Sequence, residues 1–152
     1  MKKIASAVLT AALCSTAFAA GTASTPITVN ATVLSSCTFD TGATTAASFT
    51  YDAIAGTSGA VNGAATLYCN AGTTITTTTA ASGALTLTSA SKTGTLNATY
   101  ALTQVAAAGA GAGSYAGADK HTYTLAATAA SGQWAAPTAA DYTTTLDVNV
   151  TF

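Results

Sequence analysis

In four separate stretches of this chain the apolar residues return at every second position. Ile27, Val29, Ala31 and Val33 alternate with Thr28, Asn30 and Thr32. Leu96, Ala98, Tyr100 and Leu102 alternate with Asn97 and Thr99, and Tyr123, Leu125 and Ala127 with Thr122 and Thr124. Leu146, Val148, Val150 and Phe152 alternate with Thr145, Asp147, Asn149 and Thr151. A period of two places one set of side chains on each face of a pleated strand, so these stretches read as half-buried strands. Threonine, β-branched, suits the exposed face. Less regular strands are expected at 49–53, 64–69, 73–79 and 85–89. No stretch beyond residue 20 carries a capped 3.6-residue pattern, and the Ala-rich stretches 106–118 and 126–140 are interrupted by Gly and Ser. Six to eight short strands joined by Gly/Ala/Ser connections predict an all-β sandwich or barrel. The Gly-rich stretch 106–118 reads as a flexible connection. It misses the spacing of a phosphate loop and lacks the strand-then-helix setting.

The first residues read as a targeting segment. Met1-Lys2-Lys3 is a short cationic start, Ile4 to Leu13 an apolar run, and Ala17-Phe18-Ala19 a small-x-small cleavage pattern, which predicts a signal peptide over 1–19. The apolar run is too short to span a bilayer. Cys14 follows Leu13, where a lipobox requires a small residue. Past that cut two cysteines remain, Cys37 and Cys69. In an exported chain an isolated pair at this spacing predicts one structural disulfide, since it fits neither a C-x-x-C redox motif nor a zinc knuckle.

Charge excludes more than it suggests. Charged residues are 6% of the chain, against roughly a quarter in an average globular domain. Two lysines (Lys92, Lys120) and five aspartates remain after residue 19, a formal charge of −3. There is no basic footprint for nucleic acid or for an anionic membrane. With no Glu, no Arg and a single His, no metal or cofactor site and no catalytic constellation are expected. Asp119-Lys120-His121 is the densest polar cluster, and it reads as a solvated strand entrance. A pairing of His121 with Ser114 or Ser131 has no supporting motif. Trp134, Tyr115 and Tyr142 read as core or loop plugs, with stacking on sugars as the alternative.

The two ends hold the functional information. The strand at 27–33 begins after Pro26 and an Ala/Gly/Thr/Ser leader, which is expected to be mobile. A mobile end with alternating apolar side chains is suited to pair with a sheet edge, in its own subunit or in a neighbour.

Three blocks of the sequence resemble the archaic chaperone–usher pilins, whose domain is also called the spore coat protein U domain. They are Ser35-Ser36-Cys37-Thr38-Phe39, then Leu67-Tyr68-Cys69-Asn70-Ala71-Gly72-Thr73-Thr74, then Asp141-Tyr142-Thr143 followed by Leu146, Val148, Val150, Thr151 and Phe152. Where that family often has a Phe-Gly-x-Tyr turn, this chain has Phe49-Thr50-Tyr51. The resemblance implies an incomplete immunoglobulin-like sandwich over 35–152, lacking its last strand, and an N-terminal donor-strand extension over 20–34. Ile27, Val29, Ala31 and Val33 would be the donor side chains. Leu146, Val148, Val150 and Phe152 would line one side of the acceptor groove. The implied partners are identical or related pilin subunits, a periplasmic chaperone and an outer-membrane usher. The implied product is a homopolymer on the cell surface serving adhesion or biofilm formation. A spore- or cell-coat protein of the same domain shares every one of these features, and a monomer completed by its own N-terminal strand shares the fold. A small outer-membrane β-barrel would also end in an alternating strand closing on Phe, but needs about eight strands of 9–11 residues with aromatic girdles. A threonine-ladder solenoid needs a fixed repeat that the T-x-T rows lack.

Overall fold

The structure is a computed structural model and describes residues 24–152; the expected signal peptide, 1–19, and residues 20–23 lie outside the described residues. Residues 33–152 form one compact unit.

The strands of that unit are β1 (Cys37–Thr45), β2 (Ser48–Asp52), β3 (Gly56–Val61), β4 (Gly63–Cys69) and β5 (Thr76–Thr77). They continue with β6 (Ser82–Ser89), β7 (Gly94–Ala107), β8 (Asp119–Thr128), β9 (Tyr142–Thr143) and β10 (Val150–Thr151). The one helical element among the described residues is a single 3-10 turn, Gly113–Tyr115. The described residues are therefore all-β, and their pairings are antiparallel. Six strands make the main sheet, in the order β1-β4-β8-β7-β6-β9, while β10 pairs with β5 and β2 with β3 in two separate ribbons.

Alternation explains how the layers meet. In β7 Leu96, Ala98, Tyr100 and Leu102 are buried while Thr95, Asn97, Thr99 and Thr103 are exposed. On the other face threonines stand opposite threonines, Thr99 against Thr128 and Thr103 against Thr124. The inner face carries two adjoining clusters. One holds Leu67, Cys69, Tyr100, Leu102 and Tyr123, with Ile75, Leu146, Val148 and Val150 packed on it. The other holds Leu96, Ala98 and Ala129, covered by Phe49, Tyr51, Ala136 and Tyr142. Leu85 touches both. The second layer is thus two covers lying over one sheet face.

Cys37 and Cys69 form the expected disulfide, joining register partners on β1 and β4 whose Cα atoms are 4.1 Å apart. Tight packing elsewhere depends on a missing side chain. A methyl group at Gly94 would collide with the Pro137 ring, so glycine is what lets the 137–142 segment lie against the start of β7.

Several expectations change in detail. The stretch 27–33 is not a strand within this chain: Ile27 and Val29 are each 85% exposed, and none of the ladders includes this stretch. Alternation supplies an apolar face, but a ladder partner is needed to make a strand of it. The C-terminal stretch is paired as a strand only at its two ends, in β9 and β10. Between them Thr78 N–H donates to Asn149 O at 2.9 Å, and a threonine hydroxyl adds to that backbone bond. Thr79 Oγ1 accepts from Asn149 N–H at 2.8 Å and donates to the Asp147 carbonyl at 2.9 Å. The 106–118 connection is built rather than loose. Gly111 N–H donates to Ala118 O, Ala118 N–H donates to Tyr115 O, and Tyr115 stacks on Tyr68.

Three aspartates close turns with their carboxylates. Asp141 accepts from Ser89 Oγ at 2.6 Å and from Ser91 N–H at 2.8 Å. Asp119 accepts from Gly72 N–H at 2.9 Å and Gly109 N–H at 2.8 Å, and Asp52 from Ala55 N–H at 2.9 Å and Ile54 N–H at 2.8 Å. These bonds favour the ionised form and hold all three carboxyls below the ordinary carboxylate value. In the unfolded chain an Asp titrates near ~3.9. A carboxyl depressed in the folded state adds stability that is complete above that value and is lost as pH falls through the lower, folded one. The urea midpoint is therefore expected to be flat above about pH 5 and to drop below about pH 4. The Asp119→Asn/Asp141→Asn double variant should start lower and fall less steeply over that window. An equal fall in both proteins would refute the assignment.

Candidate functional site

The candidate site lies between β2 and the 134–142 segment. A groove of about 870 Å³ opens there, with Leu87 of β6 and Leu96 of β7 among its lining residues. One wall is β2, contributing Phe49 and Tyr51; the other is the 134–142 segment, contributing Pro137 and Tyr142. Within the ladders of the described residues β2 pairs with β3 alone, so its second edge carries no ladder and lines the groove. Local chemistry fixes both walls. Gly132 N–H donates to Ala53 O at 2.7 Å, and Gln133 N–H donates to Tyr51 Oη at 2.9 Å. The Gln133 side chain then stands in for a strand residue beyond the end of β8. It accepts from Asn97 N–H and donates to Asn97 O, each at 2.8 Å. On the far wall the Tyr142 hydroxyl donates to Pro137 O at 2.8 Å. Trp134 stands at the rim, 72% exposed.

The expected site residues fall into three groups. Cys37 and Cys69 are bonded. Leu146, Val148 and Val150 are half-buried on the Leu67–Leu102–Tyr123 cluster, along the C-terminal stretch that continues from Tyr142. Phe152 does not follow them and is 58% exposed. Ile27, Val29 and Val33 are exposed large apolar residues, and Ala31 is exposed with them.

Two features differ from the reading of the sequence. His121 is buried rather than a solvated entrance, because it occupies the inner face of β8 two positions before Tyr123. Gln104 Nε2 lies 3.2 Å from its Nδ1, and its Nε2 is buried without a partner. The ring's hydrogen bond goes to this amide and to no serine. Second, the β2 wall was missed as part of a site. Phe49 and Tyr51 alternate over only five residues, a signal too short to separate a wall from an ordinary strand.

No family model matches the chain, and neither a curated protein nor a solved structure matches it.

Proposed function

We propose that this chain is a structural subunit of a surface pilus, exported through the periplasm and joined to its neighbours by chaperone–usher donor-strand exchange, in service of adhesion or biofilm formation. The observation that carries the reading is a pairing of surplus with deficit. The 27–33 stretch offers alternating apolar side chains with nothing over them, and the groove beside β2 offers apolar lining residues and an unused strand edge. In this reading the sandwich is immunoglobulin-like and incomplete, and 20–34 of one subunit completes 35–152 of the next. Tyr142 lines the groove that receives the strand, while Leu146, Val148 and Val150, further along the same stretch, pack on the neighbouring Leu67–Leu102–Tyr123 cluster and not in the groove. Burying Ile27, Val29 and Val33 contributes roughly 1.5–3 kcal/mol each, and ladder hydrogen bonds add to that. A joint of this kind requires no charged contact, which suits a chain with so few charges. Before assembly a periplasmic chaperone lends the missing strand, and an outer-membrane usher exchanges it.

A coat protein of the same domain would use the same joint. The membrane barrel fits less well. A barrel closes its edges and turns apolar residues outward, whereas here β1 and β9 are separate sheet edges and the outer face of β7 carries Thr95, Asn97, Thr99 and Thr103. Deleting 20–34, with the signal retained, tests the proposal. The expected product is an exported subunit that still binds its chaperone and forms no fibre by electron microscopy of sheared surface material. Fibres from the truncated chain would overturn the donor assignment. Wild-type protein recovered only from a coat layer would favour the coat reading.

A further inference from the structure

A second cavity lies at the disulfide end of the main sheet and shares no lining residue with the groove. Its volume is about 330 Å³, at the small end of the range for small-molecule sites. Ser36 and Thr38 flank Cys37, and Tyr68 and Asn70 flank Cys69; all four line the cavity, so the disulfide fixes its two strand walls relative to one another. The third wall is the turn that carries Ser114 and Tyr115. Tyr115 stacks on Tyr68 with ring centroids 4.2 Å apart and planes 12° from parallel. That turn is held from both sides. A methyl group at Gly111 would strike the Tyr115 carbonyl, and the Asp119 carboxylate ties Gly109 N–H to Gly72 N–H. The walls close on their own backbone, Asn70 N–H to Ser36 O and Ala118 N–H to Tyr115 O, without drawing on the hydroxyls and the amide.

The lining has a consistent chemistry: three aliphatic hydroxyls, one carboxamide, two stacked phenol rings and no ionised group. Hydroxyls and an amide both donate and accept, as sugar hydroxyls do, and the stacked rings supply apolar surface for a pyranose C–H face. An anionic or cationic ligand would surrender hydration there without meeting a counter-charge. Lys120 is the register partner of Tyr68 on β8 but is not among the lining residues. We infer that this cavity, walled by the Tyr68–Tyr115 stack and the residues flanking the Cys37–Cys69 disulfide, is a binding site for one unit of a neutral saccharide. The site is formed within one subunit and does not depend on polymerisation. On a polymer it would be repeated along the fibre, so that weak single contacts sum to firm attachment.

Saturation-transfer NMR on the exported chain with its disulfide intact tests this. The probes are methyl β-D-glucopyranoside, methyl β-D-galactopyranoside, N-acetylglucosamine and, as the acidic comparison, glucuronic acid. Transfer is expected to at least one neutral sugar, with a Kd of order 1 mM, and not to glucuronic acid. Tyr115→Ala should weaken binding about tenfold or more, and Thr38→Val severalfold, while Trp134→Ala at the other cavity leaves it unchanged. Thr38→Val keeps shape and β-propensity, so it reads the hydroxyl even where Tyr115→Ala loosens the turn. The inference is overturned by no transfer to any neutral sugar. It is equally overturned by binding unaffected in both site variants, or by glucuronic acid binding as well as the neutral probes. None of these outcomes bears on fibre formation.

Discussion

A chain with Val29 and Val33 both changed to aspartate is expected to reach the periplasm, fold and bind its chaperone, yet to yield no fibres. The two side chains lie on one face of an alternating stretch and are exposed within their own chain, 85% and 79%. Their loss therefore removes nothing from the subunit's core, which is built from Leu67, Tyr100, Leu102, Tyr123 and their neighbours. In the proposed joint the same positions face an apolar groove. Each substitution then forfeits roughly 1.5–3 kcal/mol of burial and adds the cost of a carboxylate without a partner, several kcal/mol more. Two such changes exceed what one strand contributes, so the effect on assembly should be all-or-none. The controls are Thr28→Asp and Thr32→Asp, on the opposite face of the same stretch, which should assemble. Heat-labile ladders on denaturing gels and electron microscopy read the result. Fibres from the Val29→Asp/Val33→Asp chain, or equal loss from the threonine controls, would remove the donor face as the basis of assembly.

Loss of the disulfide should be the largest change in the stability of the subunit itself. Cys37 and Cys69 are 32 positions apart, and in the chain-entropy model closing such a loop stabilises the fold by roughly 3–4 kcal/mol. The bond ties β1, an edge strand of the main sheet, to β4 within it. Cys69 is also one of the most deeply buried side chains. The Cys37→Ala/Cys69→Ala chain should unfold at a urea concentration roughly 2 M lower, for an m-value near ~1.5 kcal/mol/M. Non-reducing mass spectrometry of the wild-type chain should show the 37–69 link. An unchanged midpoint would mean that the sheet holds β1 without the bond.

How far the sequence discloses this fold depends on how long each regular signal persists. β7 and β8 declare themselves because alternation runs over many residues and names the buried set in advance: Leu96, Ala98, Tyr100, Leu102 and Tyr123. The cysteine pair is legible because a single bond satisfies it. β3 is not legible, since Gly56-Thr-Ser-Gly-Ala-Val61 has no apolar period and exists as the partner of β2. The burial of His121 is masked by charged and polar neighbours in sequence, although Asp119, His121 and Tyr123 share one face of the strand. The pocket beside the disulfide could not be foreseen, because Tyr115 reaches Tyr68 only through the fold of a glycine-rich connection that looks featureless. The alternation at 27–33 is plain in the sequence, yet no ladder among the described residues includes it, and its exposure could not be read from the pattern.

The ribbon formed by β5 and β10 also bears on timing. Its partners, Thr76 with Thr151 and Thr77 with Val150, are among the most distant in the chain, with the Thr151–Thr76 contact spanning 75 positions. Contacts of such sequence separation form late and slow folding, because loop closure must precede any gain from them. Hairpins such as β6–β7 can close early, displaying Tyr100 and Leu102 before Leu146, Val148 and Val150 arrive to cover them. A polypeptide delivered N-terminus first thus spends its early life with an adhesive sheet face on view. Its refolding yield should fall steeply with protein concentration and recover when a strand-shaped peptide is supplied during folding.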